Sequence, residues 1–95
     1  MKTQWSPQAR RDLRELYLRI LPENPQAARV LQERIRAGVL SLQTTPQIGR
    51  PGRLPGTREL VVTGTPFLVP YRIVGNTLQI LRVYHGARQW PDAFP

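Results

Sequence analysis

Between Pro7 and Ile20, Ala9, Leu13, Leu16, Tyr17 and Ile20 recur at helical intervals. That three-to-four spacing lays one stripe along a helix. Arg10, Arg11, Arg14 and Arg19 lie largely off it. Ser6-Pro7 supplies the start, a capping hydroxyl followed by a proline whose φ is preset and whose missing N–H costs nothing there. Asn24-Pro25 repeats the device, and Ala28, Leu31, Ile35, Val39 and Leu42 form a second stripe that Thr45-Pro46 closes. So short a connection predicts an antiparallel helical hairpin.

The period then changes. Glu59–Val62, Phe67–Val74 and Thr77–Tyr84 are rich in β-branched and aromatic residues and have strand lengths. Gly75-Asn76 is a two-residue hairpin signal that sets 73 opposite 78, 71 opposite 80, 69 opposite 82 and 67 opposite 84. One face would carry Phe67, Val69, Tyr71, Ile73, Leu78, Ile80 and Tyr84, with Arg82, and pack on the helices. The other would carry Leu68, Pro70, Arg72, Gln79, Leu81, Val83 and His85, a half-apolar, half-basic surface suited to a protein partner. Thr3–Trp5 offers a further short strand. Pro70 argues for an edge or a bulge in its strand. The fold class is therefore α+β, a helical hairpin on a three- to four-stranded antiparallel sheet. One domain over 1–95 divides into a short strand and hairpin (1–45), a basic Gly/Pro loop (46–56), strands (57–85) and a C-terminal segment (86–95).

Charge adds the next constraint. Fourteen basic residues against six acidic give +8, and all the basic residues but Lys2 are arginine. The excess is shared evenly, +4 over residues 1–47 (8 − 4) and +4 over 48–95 (6 − 2). Such a surface attracts polyanions: nucleic acid, ribosomes or an acidic protein. Without cysteine and with a single histidine, thiolate chemistry and a cysteine- or histidine-built metal site are excluded. No metal or cofactor is expected. No apolar run approaches the ~20 residues of a membrane span and MKTQWSPQ has no signal-peptide core, so a soluble cytoplasmic protein without a membrane partner is expected.

The loop GRPGRLPG lacks the spacing and the strand–loop–helix context of a phosphate-binding loop. Its glycines and prolines are turn residues, and Arg50, Arg53 and Arg58 are either surface charges or an anion-contacting group. His85 follows the last strand beside Tyr84 and near Arg82 and Arg88. Together these could serve a metal-free ribonuclease, with a base, an acid and cations for the developing phosphate charge. A lone histidine at a strand end is, however, more often structural or solvent-facing. No G-x-S-x-G elbow and no carboxylate pair supports hydrolase chemistry, and the second helix is too apolar on one side for a DNA-reading head. The tail ARQWPDAFP, with Trp90 and Phe94, either folds back over the sheet or is a recognition segment.

The order of features resembles a known family. Trp5–Leu13 reads W-S-P-x-A-x-x-D-L and Asn24–Ala28 reads N-P-x-A-A. Pro46–Arg53 gives P-x-x-G-R-x-G-R, Gly56–Val62 gives G-T-R-E-L-V-V, Pro70–Ile73 gives P-Y-R-I, and Ile80–Pro91 gives I-L-R-V-x-H-G-A-R-x-W-P. This is similar to the RelE/ParE superfamily, the toxins of bacterial type II toxin–antitoxin modules, whose fold agrees with the one read above.

The resemblance implies one of two activities: ribosome-dependent mRNA cleavage in RelE-like members, or poisoning of DNA gyrase in ParE-like ones. Aligned on Tyr71, the catalytic lysines of the RelE-type pattern fall on Glu59 and Val61, and its strand arginine falls on Leu68. His85 falls where YoeB-like relatives place a catalytic histidine. With the cationic half of that site missing, the ParE-like branch is the expectation, with no catalytic residue; His85, Arg82 and Tyr84 are the fallback for a ribonuclease. The resemblance further implies a ParD-like antitoxin in a hetero-oligomeric complex, DNA gyrase as target, and operator DNA reached only through the antitoxin. The residues expected at antitoxin or target are Arg50, Arg53, Arg58, Leu68, Arg72, Leu81, Val83, Arg88 and Trp90. A basic nucleic-acid-binding module without an antitoxin is the remaining alternative.

Overall fold

Both cap-and-proline devices start helices. In a computed structural model that describes residues 1–87, Pro91 and Phe94, Ser6 Oγ accepts from the Ala9 N–H at 2.9 Å and α1 runs Pro7–Ile20. Asn24 Oδ1 accepts from the Ala27 N–H at 3.0 Å and α2 runs Pro25–Ser41. Each cap satisfies one of the N–H groups that a helix start leaves unpaired. The buried residues are those of the two stripes: Ala9, Leu13 and Leu16 on α1, and Ala28, Ile35 and Val39 on α2, with Leu42 just beyond.

The hairpin packs on a six-stranded sheet. Its strands are β1 (Lys2–Trp5), β2 (Arg50–Pro51), β3 (Arg58–Val61), β4 (Phe67–Val74), β5 (Thr77–Ile80) and β6 (Tyr84–His85). The order is β1-β5-β4-β3-β2, with β6 also on β4. The α+β class stands, but the sheet is larger than expected and mixed. β1 lies parallel to β5, from Lys2 beside Thr77 to Trp5 beside Ile80. Its end passes directly into the α1 cap, and the Ser6 N–H extends the pairing to the Ile80 carbonyl at 2.9 Å.

The turn at Gly75-Asn76 sets the expected register, with Ile73 opposite Leu78 and Tyr71 opposite Ile80; Gly75 takes the positive φ of 59° that such turns need. Beyond Ile80 the register departs from expectation. Leu68 faces Tyr84 and Phe67 faces His85, so one extra residue has entered the last strand.

Pro70 is the cause. The Leu81 N–H donates to the Pro70 carbonyl at 3.0 Å, a pairing in which residue 70 would normally return an N–H to the Leu81 carbonyl. Proline has none to give. Ser6 Oγ donates to that carbonyl instead, at 2.7 Å. The Val83 N–H then turns to Asp12 Oδ2 on α1, at 3.0 Å, and the ladder resumes one residue out of step.

A one-residue slip exchanges the faces of a strand. Val83 therefore joins Val69, Tyr71, Leu78 and Ile80 in the core under the helices, the place expected of Arg82 and Tyr84. The opposite face is not the open apolar surface expected. Leu68 and Leu81 are each only 7% exposed, and Val83, expected on that face, has left it for the core. Tyr84 is buried there too, stacked on Phe94 with ring centroids 6.4 Å apart. Among the described residues, no helix is long and apolar enough to cross a membrane.

Candidate functional site

The basic loop between α2 and β3 is held by two buried side chains from the sheet. Tyr71, fully buried on β4, donates its hydroxyl hydrogen to the Pro46 carbonyl at 2.7 Å and accepts from the Gly49 N–H at 3.0 Å. Position 49 must be glycine, because a Cβ there would lie 2.5 Å from Tyr71 Oη. Glu59, 1% exposed on β3, holds the next stretch. Its Oε1 accepts from Arg50 Nε and Nη2 at 3.2 and 3.0 Å, and its Oε2 from the Arg53 backbone N–H at 2.8 Å. Arg58 donates Nη1 to the Gln47 and Gly49 carbonyls at 3.2 and 2.9 Å. These arginines thus first order the loop, while Arg50 and Arg53 still leave about half of each side chain in solvent, 54% and 44%.

Burial pushes the Tyr71 hydroxyl above its ordinary value of 10.0, against the Gly49 hydrogen bond and the nearby Arg58 charge, which both lower it. A raised folded pKa is stability that is complete below the unfolded value and lost as pH rises through the folded one. Tyr71→Phe leaves the Pro46 and Gly49 backbone groups unpaired and should cost about 1–3 kcal/mol at neutral pH. In urea unfolding followed across pH, the gap between the two proteins should narrow above pH ~10. A gap that is constant with pH would place the hydroxyl's contribution elsewhere.

The loop also walls a groove. β2 pairs only with Arg58 and Glu59, so among the described residues Leu60 and Val61 have no strand partner on the outer side of β3. Beside that edge lies a space of about 500 Å³ lined by Ala37 and Gly38 of α2, Ile48, Leu60 and Val61, with Arg34 and Arg50 also lining it. Ile48 and Val61 are 65% and 49% exposed. α2 comes so close here that a Cβ on Gly38 would meet Leu60 Cδ2 at 3.3 Å. An open strand edge, an apolar floor and guanidinium walls together suit an extended acidic peptide, paired through its backbone.

The fallback catalytic group is arranged differently. Arg82 gives Nε and Nη2 to the two oxygens of Asp12 at 2.7 and 2.9 Å, and its guanidinium lies 4.7 Å from the centre of the Tyr84 ring. The bond to Asp12 raises the Arg82 pKa against the opposing effect of burial. His85 is exposed, sits edge-on to Phe67 with centroids 5.5 Å apart, and accepts the Ala87 N–H on Nδ1 at 3.1 Å. Among the described residues no hydrogen bond or ion pair joins His85 to Arg82.

The remaining expected site residues scatter. Arg72 donates to Gln79 across the sheet at 2.7 Å. Leu68, Leu81 and Val83 are buried, as described above, and Arg88 and Trp90 lie outside the described residues. Conversely, Glu59 and Asp12, which organise the loop and the last strand, were not singled out as site residues. Their signal was present: each is an acidic residue inside an arginine-rich run and next to a core leucine.

Residues 3–90 match the profile of the ParE toxin of type II toxin–antitoxin system, parDE. The chain belongs to the ParE toxin family. It is 40% identical over 91 residues to the putative toxin Y4kP of Sinorhizobium fredii, covering 96% of this chain and 94% of that one. It is 30% identical to toxin RelE1 of Caulobacter vibrioides, over 88% of this chain and 91% of that one. A structure of the chromosomal ParDE system from P. aeruginosa superimposes with a TM-score of 0.82 at 32% identity, covering 90% of this chain and 95% of that one. The RelBE2 toxin–antitoxin complex of Mycobacterium tuberculosis gives a TM-score of 0.61 at 29% identity, over 88% and 95%. The expected superfamily and fold class are thereby met, and the chain is a type II toxin.

Proposed function

We propose that this ParE-family toxin is held inactive by a ParD-like antitoxin and acts by binding DNA gyrase, without chemistry of its own. The observation that carries the reading is the state of the cations around His85. Leu68 occupies the position of the strand arginine and is buried. Arg82 is committed to Asp12 through two hydrogen bonds. Neither of these two positions offers His85 a free cation to neutralise a scissile phosphate, and that neutralisation is the larger part of the transition-state stabilisation that RNA cleavage needs. For the antitoxin, the open edge of β3 and its arginine-walled groove support capture of an extended acidic segment that is disordered until bound.

The test is a supercoiling assay with purified gyrase, relaxed plasmid and antitoxin-free protein. Inhibition with trapped linear plasmid is expected, and His85→Ala should inhibit as well as the native protein. No effect on gyrase at excess toxin, together with mRNA cleavage on translating ribosomes that is lost in His85→Ala, would establish the ribonuclease reading instead.

A further inference from the structure

A second cleft of about 500 Å³ lies away from the β3 groove, where the end of β1 meets the two helices. Trp5 closes it from β1, Arg10, Arg14 and Tyr17 line it from α1, and Gln32 and Arg36 from α2. Arg10 and Arg14 are one helical turn apart, as are Gln32 and Arg36, so each helix brings a polar pair to a cleft that Trp5, Tyr17 and the buried Leu13 also line. Arg36 lies over the Trp5 ring with its Cζ 6.0 Å from the centroid. Among the described residues, Arg10, Arg14 and Arg36 form no ion pair and no side-chain hydrogen bond. This contrasts with Arg50, Arg58 and Arg82, whose guanidinium groups bond to other parts of the protein.

From this arrangement we infer that the cleft is a nucleotide-binding site, taking a phosphate on Arg10, Arg14 and Arg36 and a base against Trp5 and Tyr17. Three arginines line this one cleft and no carboxylate does, a composition suited to an anion. An acidic peptide would satisfy the charge but has no π-face for the indole and phenol. A nucleotide has both, and base stacking on aromatic and guanidinium planes is tolerant of sequence. Gln32 adds a donor and an acceptor for a base edge. The volume is that of a small-molecule site. The same chemistry reaches the cleft as a free nucleotide or as one unit of a single strand.

The experiment uses the full chain and fluorescence anisotropy of a labelled single-stranded oligothymidylate and of a labelled mononucleotide over a range of salt. Replacing Arg10, Arg14 and Arg36 by Gln together should weaken oligonucleotide binding at least about tenfold at moderate salt and flatten the log–log salt slope by about 2. Trp5→Leu should weaken it roughly fivefold or more with an unchanged slope. Arg11, Arg19 and Arg29, also on the helices but outside the cleft, control for net charge, and their triple Gln variant should bind nearly as the native chain does. Mononucleotide binding in competition with the oligomer would assign the site to free nucleotides; binding of the oligomer alone would assign it to single strands. Equal loss from the two triple variants, or no binding of either probe, would overturn the site. Polyglutamate binding that depends on the three arginines but not on Trp5 would overturn it in favour of an acidic protein.

Discussion

Asp12→Ala is expected to lower the unfolding free energy by about 3 kcal/mol, read from urea or thermal unfolding. The carboxylate accepts three hydrogen bonds, two from Arg82 and one from the Val83 N–H. Its removal leaves a backbone donor unpaired and Arg82, whose side chain is 22% exposed, without its carboxylate partner. Breaking such a pair from one side costs several kcal/mol when the survivor is fully buried, and less when part of it reaches water. In a chain of this length that corresponds to a fall in Tm of roughly 15 °C. Asp12→Asn keeps one acceptor and should fall between. Removing both charges, Asp12→Ala with Arg82→Leu, should recover part of the loss, because no stranded charge remains. A loss below about 0.5 kcal/mol in Asp12→Ala would show that α1 does not hold the last strand in its slipped register.

That register shows where the sequence stops being legible. The helix starts were readable because a cap and its proline act within three residues. The turn at Gly75-Asn76 was readable for the same reason, and it fixed the pairing as far as Ile80. Pro70 announced a disturbance in its strand. The direction of the disturbance was not readable, since it depends on Ser6 and Asp12, each some seventy residues from the bonds they make.

From that one slip follow the exchange of Val83 for Arg82 in the core and much of the misreading of the far face. The candidate groove was hidden for a related reason. It exists because β2 is only two residues long and leaves part of β3 uncovered, a fact of strand pairing that no local pattern encodes. The arginines of the loop were visible as a cluster, but their ordering role was not, because it runs through Glu59. In the family pattern that residue stood out only as an absent lysine.

Glu59→Ala is the second large effect, and it separates the loop's structure from its function. Its carboxylate is the acceptor shared by the Arg50 guanidinium and the Arg53 backbone. Because both arginines already reach solvent, they rehydrate when it is lost, and the stability cost should be about 2 kcal/mol rather than the larger figure for a fully buried pair. The partner should register the change as well. Arg50 is one wall of the groove beside the open edge of β3, and only the bond to Glu59 fixes its side chain in place among the described residues. Freed, it must be ordered again each time an acidic segment binds, at an entropic cost of about 1 kcal/mol for the side chain and more for the loop behind it. Affinity for the antitoxin, measured by calorimetry, should fall about tenfold or more, while Glu59→Gln, which keeps the acceptor of Arg50, should lose less. The Val62 N–H donates to the Phe67 carbonyl on β4, so the Val61 N–H points to the open edge. Val61→Pro, which removes that donor without breaking the β3–β4 pairing, supplies the internal check. If antitoxin binding survives both Glu59→Ala and Val61→Pro in folded protein, the segment does not add to β3 and the groove is not where the antitoxin lies.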